Sequence, residues 1–233
     1  MNNNDLEEKA KKWVRDNKNL LIEKFADPTK FPGVSNPFTI FMAGSPGAGK
    51  TEYSKSFIKN YDPNTKIIRI DADEIRDIIP GYTGGNAYKF QGAAALGVEK
   101  LYDEVQKRSQ NVIVDGTFSD FGKGFQDVKR ALNRGRKVGI FYLYQDPLIA
   151  WDFTKKREKV EGRHVSKDMF INSFFLAKAN VNKVKKILGD KIELHLVEKN
   201  YTNEQENTKF NIDMIDNHLK IGYNEQDLER LIK

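Results

Sequence analysis

No cysteine occurs in the 233 residues, which rules out a disulfide framework, a thiolate metal site and a cysteine nucleophile. Histidine is scarce: His164, His195 and His218 are scattered and form no pair at metal-ligand spacing. Long apolar runs are missing as well. The longest, such as Val138 to Tyr144, are strand-sized, and none approaches the ~20 residues that a membrane-spanning helix needs. The opening Met1-Asn2-Asn3-Asn4-Asp5 lacks the basic and apolar pattern of a secretory signal, so an intracellular, cytoplasmic location is expected. There is no internal repeat and no low-complexity tract. The chemistry available is that of carboxylates, basic groups, hydroxyls and the backbone.

What is present describes a globular chain. Hydrophobic residues make up 39% and charged residues 31%, the mixture of a packed core under a heavily charged surface. The length suits one well-buried domain and is short for two. A net charge of +6 suits an anionic ligand such as a nucleotide, and would also suit nucleic acid. A lysine-rich solvated surface explains the same excess, so charge alone decides nothing.

Apolar spacing outlines the architecture. Leu6, Ala10, Trp13, Leu20, Leu21 and Phe25 fall mostly three and four apart, predicting an amphipathic helix from Asn4 to Phe25, more simply packed on the sheet than acting as a cover. Strands are predicted at Phe38–Ala43, Lys66–Asp71, Asn111–Asp115, Lys137–Tyr144 and Lys191–Val197, with helices between them. Strands alternating with helices imply a parallel sheet covered on both faces. The expected fold class is therefore α/β, a three-layer α/β/α arrangement of the P-loop NTPase type with a mostly parallel sheet of five strands or slightly more. Residues 1–199 read as the main domain. Residues 200–233 read as an appendage too short for its own core: a polar loop (Asn200 to Lys209), a weak strand (Phe210, Ile212, Met214) and a short helix started by Asn224 with Asp227 three residues on.

The strongest motif is Gly44-Ser45-Pro46-Gly47-Ala48-Gly49-Lys50-Thr51, which fits GxxxxGK(S/T) at every position and lies between an apolar strand and a helix. Glycines let backbone N–H groups curl around phosphate oxygens, and the helix start adds partial positive charge. Lys50 is placed to reach the β- and γ-phosphates, and the Thr51 hydroxyl to ligate Mg²⁺. ATP is the expected nucleotide, with GTP the other candidate.

The second strand leads into Asp71-Ala72-Asp73-Glu74-Ile75-Arg76 at the sheet edge that also carries the glycine loop. A carboxylate there can take the proton of a hydroxyl attacking the γ-phosphorus. Asp73 is chosen as that base, and Arg76 as a holder of the acceptor or its phosphate. One of Asp71 and Asp73 is expected to cap the following helix instead. Asp115-Gly116-Thr117 closes the third strand and admits three readings: a carboxylate near Mg²⁺, a substrate-contacting loop, or a plain turn. Gly81-Tyr82-Thr83-Gly84-Gly85-Asn86-Ala87-Tyr88 could admit a substrate, but a flexible loop is the simpler expectation. Arg157 and Arg163 flank a turn at Gly162, where a lid could bring them to the transferred phosphoryl group; His164 is read as a bystander.

Together these segments resemble the zeta toxin family, bacterial kinases of toxin–antitoxin systems, from the N-terminal helix to about the fifth strand. The likeness rests on the residues at 44–51, 71–76 and 115–117, with Arg157 and Arg163. It implies phosphorylation of UDP-N-acetylglucosamine on the 3′ hydroxyl of the amino sugar, and a cognate antitoxin as partner. By the same resemblance Asp73 is the base, Arg157 and Arg163 stabilise the transferred group, and Thr117 contacts the sugar. Family members carry Glu-Gly-Thr and a downstream arginine where this chain has Asp115-Gly116-Thr117-Phe118-Ser119, which affects how the sugar and diphosphate are held. Other nucleotide-linked acceptors such as NAD are open on this layout. Asp73 to Arg76 also fits the Asp-x-x-Arg pattern of polynucleotide 5′-kinases, although no basic and aromatic stripe sized for a strand is present.

Overall fold

The computed structural model describes residues 3–200 and 205–232. The chain runs α1 (Asn3–Asp16), α2 (Lys18–Phe25), β1 (Phe38–Ala43), α3 (Lys50–Asn60), β2 (Ile67–Asp71), α4 (Ala72–Asp77) and α5 (Ala87–Lys107). It continues through β3 (Asn111–Asp115), α6 (Phe121–Asn133), β4 (Lys137–Tyr144), α7 (Pro147–Glu161), α8 (Lys167–Leu188), β5 (Glu193–Asn200), β6 (Gln205–Lys209) and α9 (Glu225–Leu231). The strands form one sheet in the order β2-β3-β1-β4-β5-β6, parallel except for β6, which pairs antiparallel with β5.

The near-continuous apolar runs of the central strands follow from cover on both faces. Along β1, Ile40 and Met42 face Tyr53, Phe57 and Ile58 of α3, while Phe41 and Ala43 belong to the larger cluster built with α5, α6 and α8. The α/β three-layer expectation holds, with six strands among the described residues. Among the described residues no helix is long and apolar enough to cross a membrane.

Three expectations are corrected. The first helix is two, broken at Asn17, whose backbone and side-chain N–H groups both donate to the Trp13 carbonyl. The break turns Leu21 fully inward and leaves Leu20 exposed, and α1 packs on α5 through Ala10 and Val14 rather than on the sheet. The polar segment from Asn200 to Lys209 is not a loop throughout. Its two ends are strand, and Gln205–Lys209 is a polar edge strand of the kind that protects a sheet from further pairing; residues 201–204 lie outside the described residues. The strand expected at Phe210, Ile212 and Met214 does not form. Asn211 is left-handed (φ 47°) and donates its N–H to His195 Nδ1, which ends the ladder, while Ile212 is tied to the Leu194 carbonyl.

The tail is sewn into the main body. Ile212, Ile215 and Leu219 share the cluster under α8, and Leu228 and Ile232 pack with Trp151, Phe170 and Phe174. Its last helix has the expected capping box, Asn224 and Asp227 each bonding the other's backbone N–H.

Candidate active site

Three segments meet at the C-terminal edge of β1, β2 and β3. The first is the glycine loop. Gly47 has φ 73°, and a Cβ there would stand 2.0 Å from the Ala150 carbonyl oxygen, so no other residue lets the loop close against α7. Gly49 is left-handed as well (φ 81°) and opens α3, which places the first N–H groups of that helix at the cleft. Lys50 folds back over the loop, donating to the carbonyls of Gly44 (3.1 Å) and Ser45 (2.7 Å). Burial pushes its pKa down to about 8, aided by Arg163 and Arg157 and opposed by Asp115.

The second segment is the end of β2. Asp71 caps α4, its carboxylate accepting the Asp73 N–H at 2.8 Å, so of the two candidates it is Asp71 that does the capping. The Asp73 carboxylate is left to face the cleft. Its Oδ1 accepts from Arg76 at 2.8 Å; its Oδ2 pairs with Arg163 and has Arg157 at 3.7 Å. The three cations come from different places: α4 itself, the end of α7, and the turn after it.

Arg76 is 1% exposed. Besides Asp73 it donates to Gln91 Oε1 at 2.9 Å, and its Nε is buried with no hydrogen-bond partner among the described residues. Its main contact is therefore with the candidate base rather than with open space. Arg157 is held by Glu161 through two bonds of 3.2 and 3.1 Å, one helical turn on.

The third segment is the end of β3, where Asp115 lies in register with Asp71. Asp115 accepts from Ser54 at 3.3 Å and from Arg69 at 2.8 Å, and Arg69 also bonds Asp71 at 2.7 Å. Burial, and then the Asp71 charge, raise the Asp115 pKa, while Lys50, Arg69 and a Thr51 hydroxyl bond pull the other way. Thr117 anchors the next loop: its carbonyl accepts the Gly44 N–H at 3.0 Å and its hydroxyl meets that of Ser119 at 2.7 Å. Phe118 is left-handed (φ 60°), and Asn180 of α8 holds this bend by donating to the carbonyls of Phe118 and Ser119.

These groups line one cleft of about 410 Å³, the size of a small-molecule site. Lys50, Thr51, Asp73, Arg76, Asp115, Thr117, Arg157 and Arg163 all contribute to its wall, with Pro46, Gly47 and Gly49 from the loop. Gly44, Ser45 and Ala48 shape the loop from behind; Ser45 and Ala48 are buried. A second, more polar recess of about 480 Å³ opens beyond Asp73, between Lys55, Glu74, Thr83 and Glu161.

As to a metal, the Thr51 hydroxyl and the Asp115 carboxylate are adjacent hard oxygen donors. Among the described residues no group of three His, Cys, Asp or Glu side chains could hold an ion unaided. That donor set fits Mg²⁺, which usually takes one or two protein oxygens and completes its shell with phosphate and water.

Arg69, Gln91, Glu161 and Asn180 were not picked out from the sequence. Only Arg69 left a trace there, as a single charge inside the apolar strand Ile67-Ile68-Arg69-Ile70. The others are brought to the site by helices whose apolar stripes say nothing about their polar positions.

The zeta toxin family model matches residues 22–212. No curated protein matches the sequence. Among solved structures, a chain of the PezAT chromosomal toxin–antitoxin system of Streptococcus pneumoniae superposes with a TM-score of 0.66 at 16% identity, covering 94% of this chain and 86% of that one. The AvrRxo1-ORF1:-ORF2 complex with ATP gives 0.58 at 11% identity, covering 94% and 74%. At such identities the likeness is one of fold.

Proposed function

The chain belongs to the zeta toxin family, and on that premise we propose that it is an ATP-dependent kinase phosphorylating a hydroxyl of a nucleotide sugar of the UDP-N-acetylglucosamine kind, a toxin restrained by an antitoxin. The observation that carries this is the pairing, in one cleft, of the phosphate loop with an Asp73 carboxylate that is spared capping duty and flanked by arginines.

In this mechanism the loop backbone from Gly44 to Gly49 and the Lys50 ammonium hold the triphosphate. Mg²⁺, held by Thr51 with Asp115 beside it, would neutralise phosphate charge. The acceptor lies against Thr117, beside the Asp73 carboxylate. Its hydroxyl oxygen bonds to the γ-phosphorus as the bond to the β–γ bridging oxygen breaks, ADP leaves, and Asp73 takes the hydroxyl proton. Arg163 and Arg157 turn from Asp73 and Glu161 towards the oxygens of the transferring group, where charge develops. Arg76 keeps the Asp73 carboxylate aimed while its neighbours leave. Acting on such an acceptor, the kinase would work in the cytoplasm.

The polynucleotide 5′-kinase alternative rested on the Asp73–Arg76 spacing. With Arg76 1% exposed and engaged by Asp73 and Gln91, that spacing serves internal order as well as it serves a nucleic acid.

Incubation with ATP, Mg²⁺ and a panel of nucleotide sugars, NAD and 5′-hydroxyl oligonucleotides tests the assignment. Transfer to a nucleotide sugar is expected, and transfer to oligonucleotide alone would overturn it. Expression of the chain should arrest growth, and Lys50→Ala should relieve the arrest.

Lys50 supplies a pH signature. In the free protein burial holds its pKa near 8, below the 10.5 of an ordinary lysine; a bound triphosphate favours the charged form and raises it again. Above pH 8, nucleotide binding should therefore take up a proton, and affinity should fall as pH rises. Calorimetric titration at pH 8.5 in buffers of different ionisation heats measures the uptake. It should disappear in Lys50→Ala. Uptake that survives in this variant would mean that another group titrates.

A further inference from the structure

A flexible loop is expected from Gly81 to Tyr88, but Ala87 and Tyr88 open α5, and residues 81–86 form a turn closed by its own hydrogen bonds. Asn86 closes it from within, its Oδ1 accepting the Thr83 N–H at 2.9 Å and its Nδ2 donating to the Gly81 carbonyl at 2.8 Å. Backbone bonds from Gly85 to Thr83 and from Ala87 to Gly84, both 3.0 Å, complete a compact turn.

This turn is pressed against the end of α7. A Cβ on Gly84 would lie 2.2 Å from the Glu161 carbonyl oxygen and 3.6 Å from the Gly162 Cα. The contact is reciprocal, because a Cβ on Gly162 would meet the Gly85 nitrogen at 3.2 Å. Gly162 is itself left-handed (φ 71°) and ends α7 with its N–H on the Glu158 carbonyl at 2.8 Å. The two backbones touch with no side chain between them, at the point from which Arg157 and Arg163 reach Asp73.

We propose that the 81–86 turn is a buttress for the arginine lid, and that Gly84 is the positioning residue that sets how closely Arg157 and Arg163 approach Asp73 and the phosphoryl group above it. This rests on the kinase assignment. A methyl group at 84 must push the Glu161–Gly162 backbone away by about an ångström before ordinary contact is restored, and a displacement of that size remote from the reacting atoms can lower a rate by on the order of 10²-fold. The phosphate loop is not touched, so nucleotide binding should stand.

The neighbouring glycines provide controls. Gly81 is also left-handed (φ 88°), yet a Cβ there meets nothing closer than 3.8 Å. Gly81→Ala thus imposes the same kind of backbone strain without the contact to α7. A Cβ on Gly85 meets nothing within 4 Å.

The test compares Gly84→Ala, Gly81→Ala and Gly85→Ala in the full chain by steady-state kinetics and by amide hydrogen exchange over residues 157–165. For Gly84→Ala we expect kcat to fall by about 10- to 100-fold with the KM for ATP within about threefold, and exchange at Gly162 to speed up. The two control variants should leave both readings near those of the parent. Equal losses in Gly84→Ala and Gly81→Ala, or faster exchange with kcat intact, would overturn the proposal. If Gly84→Ala does not fold, Asn86→Ala loosens the turn without adding a methyl, and it should show the same pattern more weakly; unchanged exchange and kcat would count against the buttress. If the parent chain transfers phosphate to no acceptor, the kinase assignment fails, while exchange over 157–165 still reports whether Gly84 braces α7.

Discussion

Asp73→Asn is expected to lower phosphate transfer by a factor of about 10²–10⁴ without weakening ATP binding. Such a factor corresponds to roughly 3–5 kcal/mol of transition-state stabilisation. The amide keeps the size of the carboxylate and can still accept the Arg76 bond, so the fold around α4 should stand. It cannot take a proton from the attacking hydroxyl. The charge balance then works in favour of nucleotide binding. Arg163 and Arg157 lose the carboxylate that partly neutralised them and present a stronger positive field to a triphosphate. ATP affinity should be unchanged or higher. A binding titration beside single-turnover kinetics measures both quantities. Weaker ATP binding in this variant would mean that Asp73 serves a metal or the loop structure, and the base would have to be sought elsewhere.

Arg163→Ala is expected to cost about 10³ in kcat, within the range found for arginines that stabilise a transferring phosphoryl group. The fold should hardly register the change. Both partners of the Asp73–Arg163 pair are about a third exposed, and ion pairs of that kind contribute about 0–1 kcal/mol. Thermal unfolding and kinetics should therefore separate cleanly, with a small shift in Tm against a large loss of rate. Arg157→Ala should cost less: both arginines must leave a carboxylate to act, but Arg157 is held by Glu161 through two bonds and stands 3.7 Å from Asp73, farther than Arg163. Equal losses from the two substitutions would point to a lid in which both arginines are free in the working complex. A loss of stability matching the loss of rate would make Arg163 a structural anchor.

The difference between these arginines shows where sequence reasoning stopped. Arg157, Arg163 and Arg76 could all be named from motif position. Their surroundings could not be read. Nothing in the residues nearby says that Glu161 claims Arg157, or that Arg76 is sunk against Gln91, fifteen positions on and on a different helix. The same limit hid Asn180, whose two bonds hold the 118–119 bend from a helix sixty residues later. The break at Asn17 and the polar edge strand at Gln205–Lys209 escaped because both depend on what packs alongside. An apolar period looks much the same with a kink in it, and a polar strand has no apolar face to betray it.

Local chemistry by itself determined the alternation of strands and helices, the parallel sheet, the glycine loop and the presence of an acid–arginine set downstream. Each of these is written in spacing over a few residues, through the two periods of side-chain direction and the conformations open only to glycine. Tertiary structure alone decided which aspartate caps and which faces the cleft, which cations gather on Asp73, and that the 81–86 turn presses on the end of α7. Those outcomes depend on distances between segments far apart in the chain. They are set when the sheet closes its two faces and brings the ends of β1, β2 and β3 to one edge.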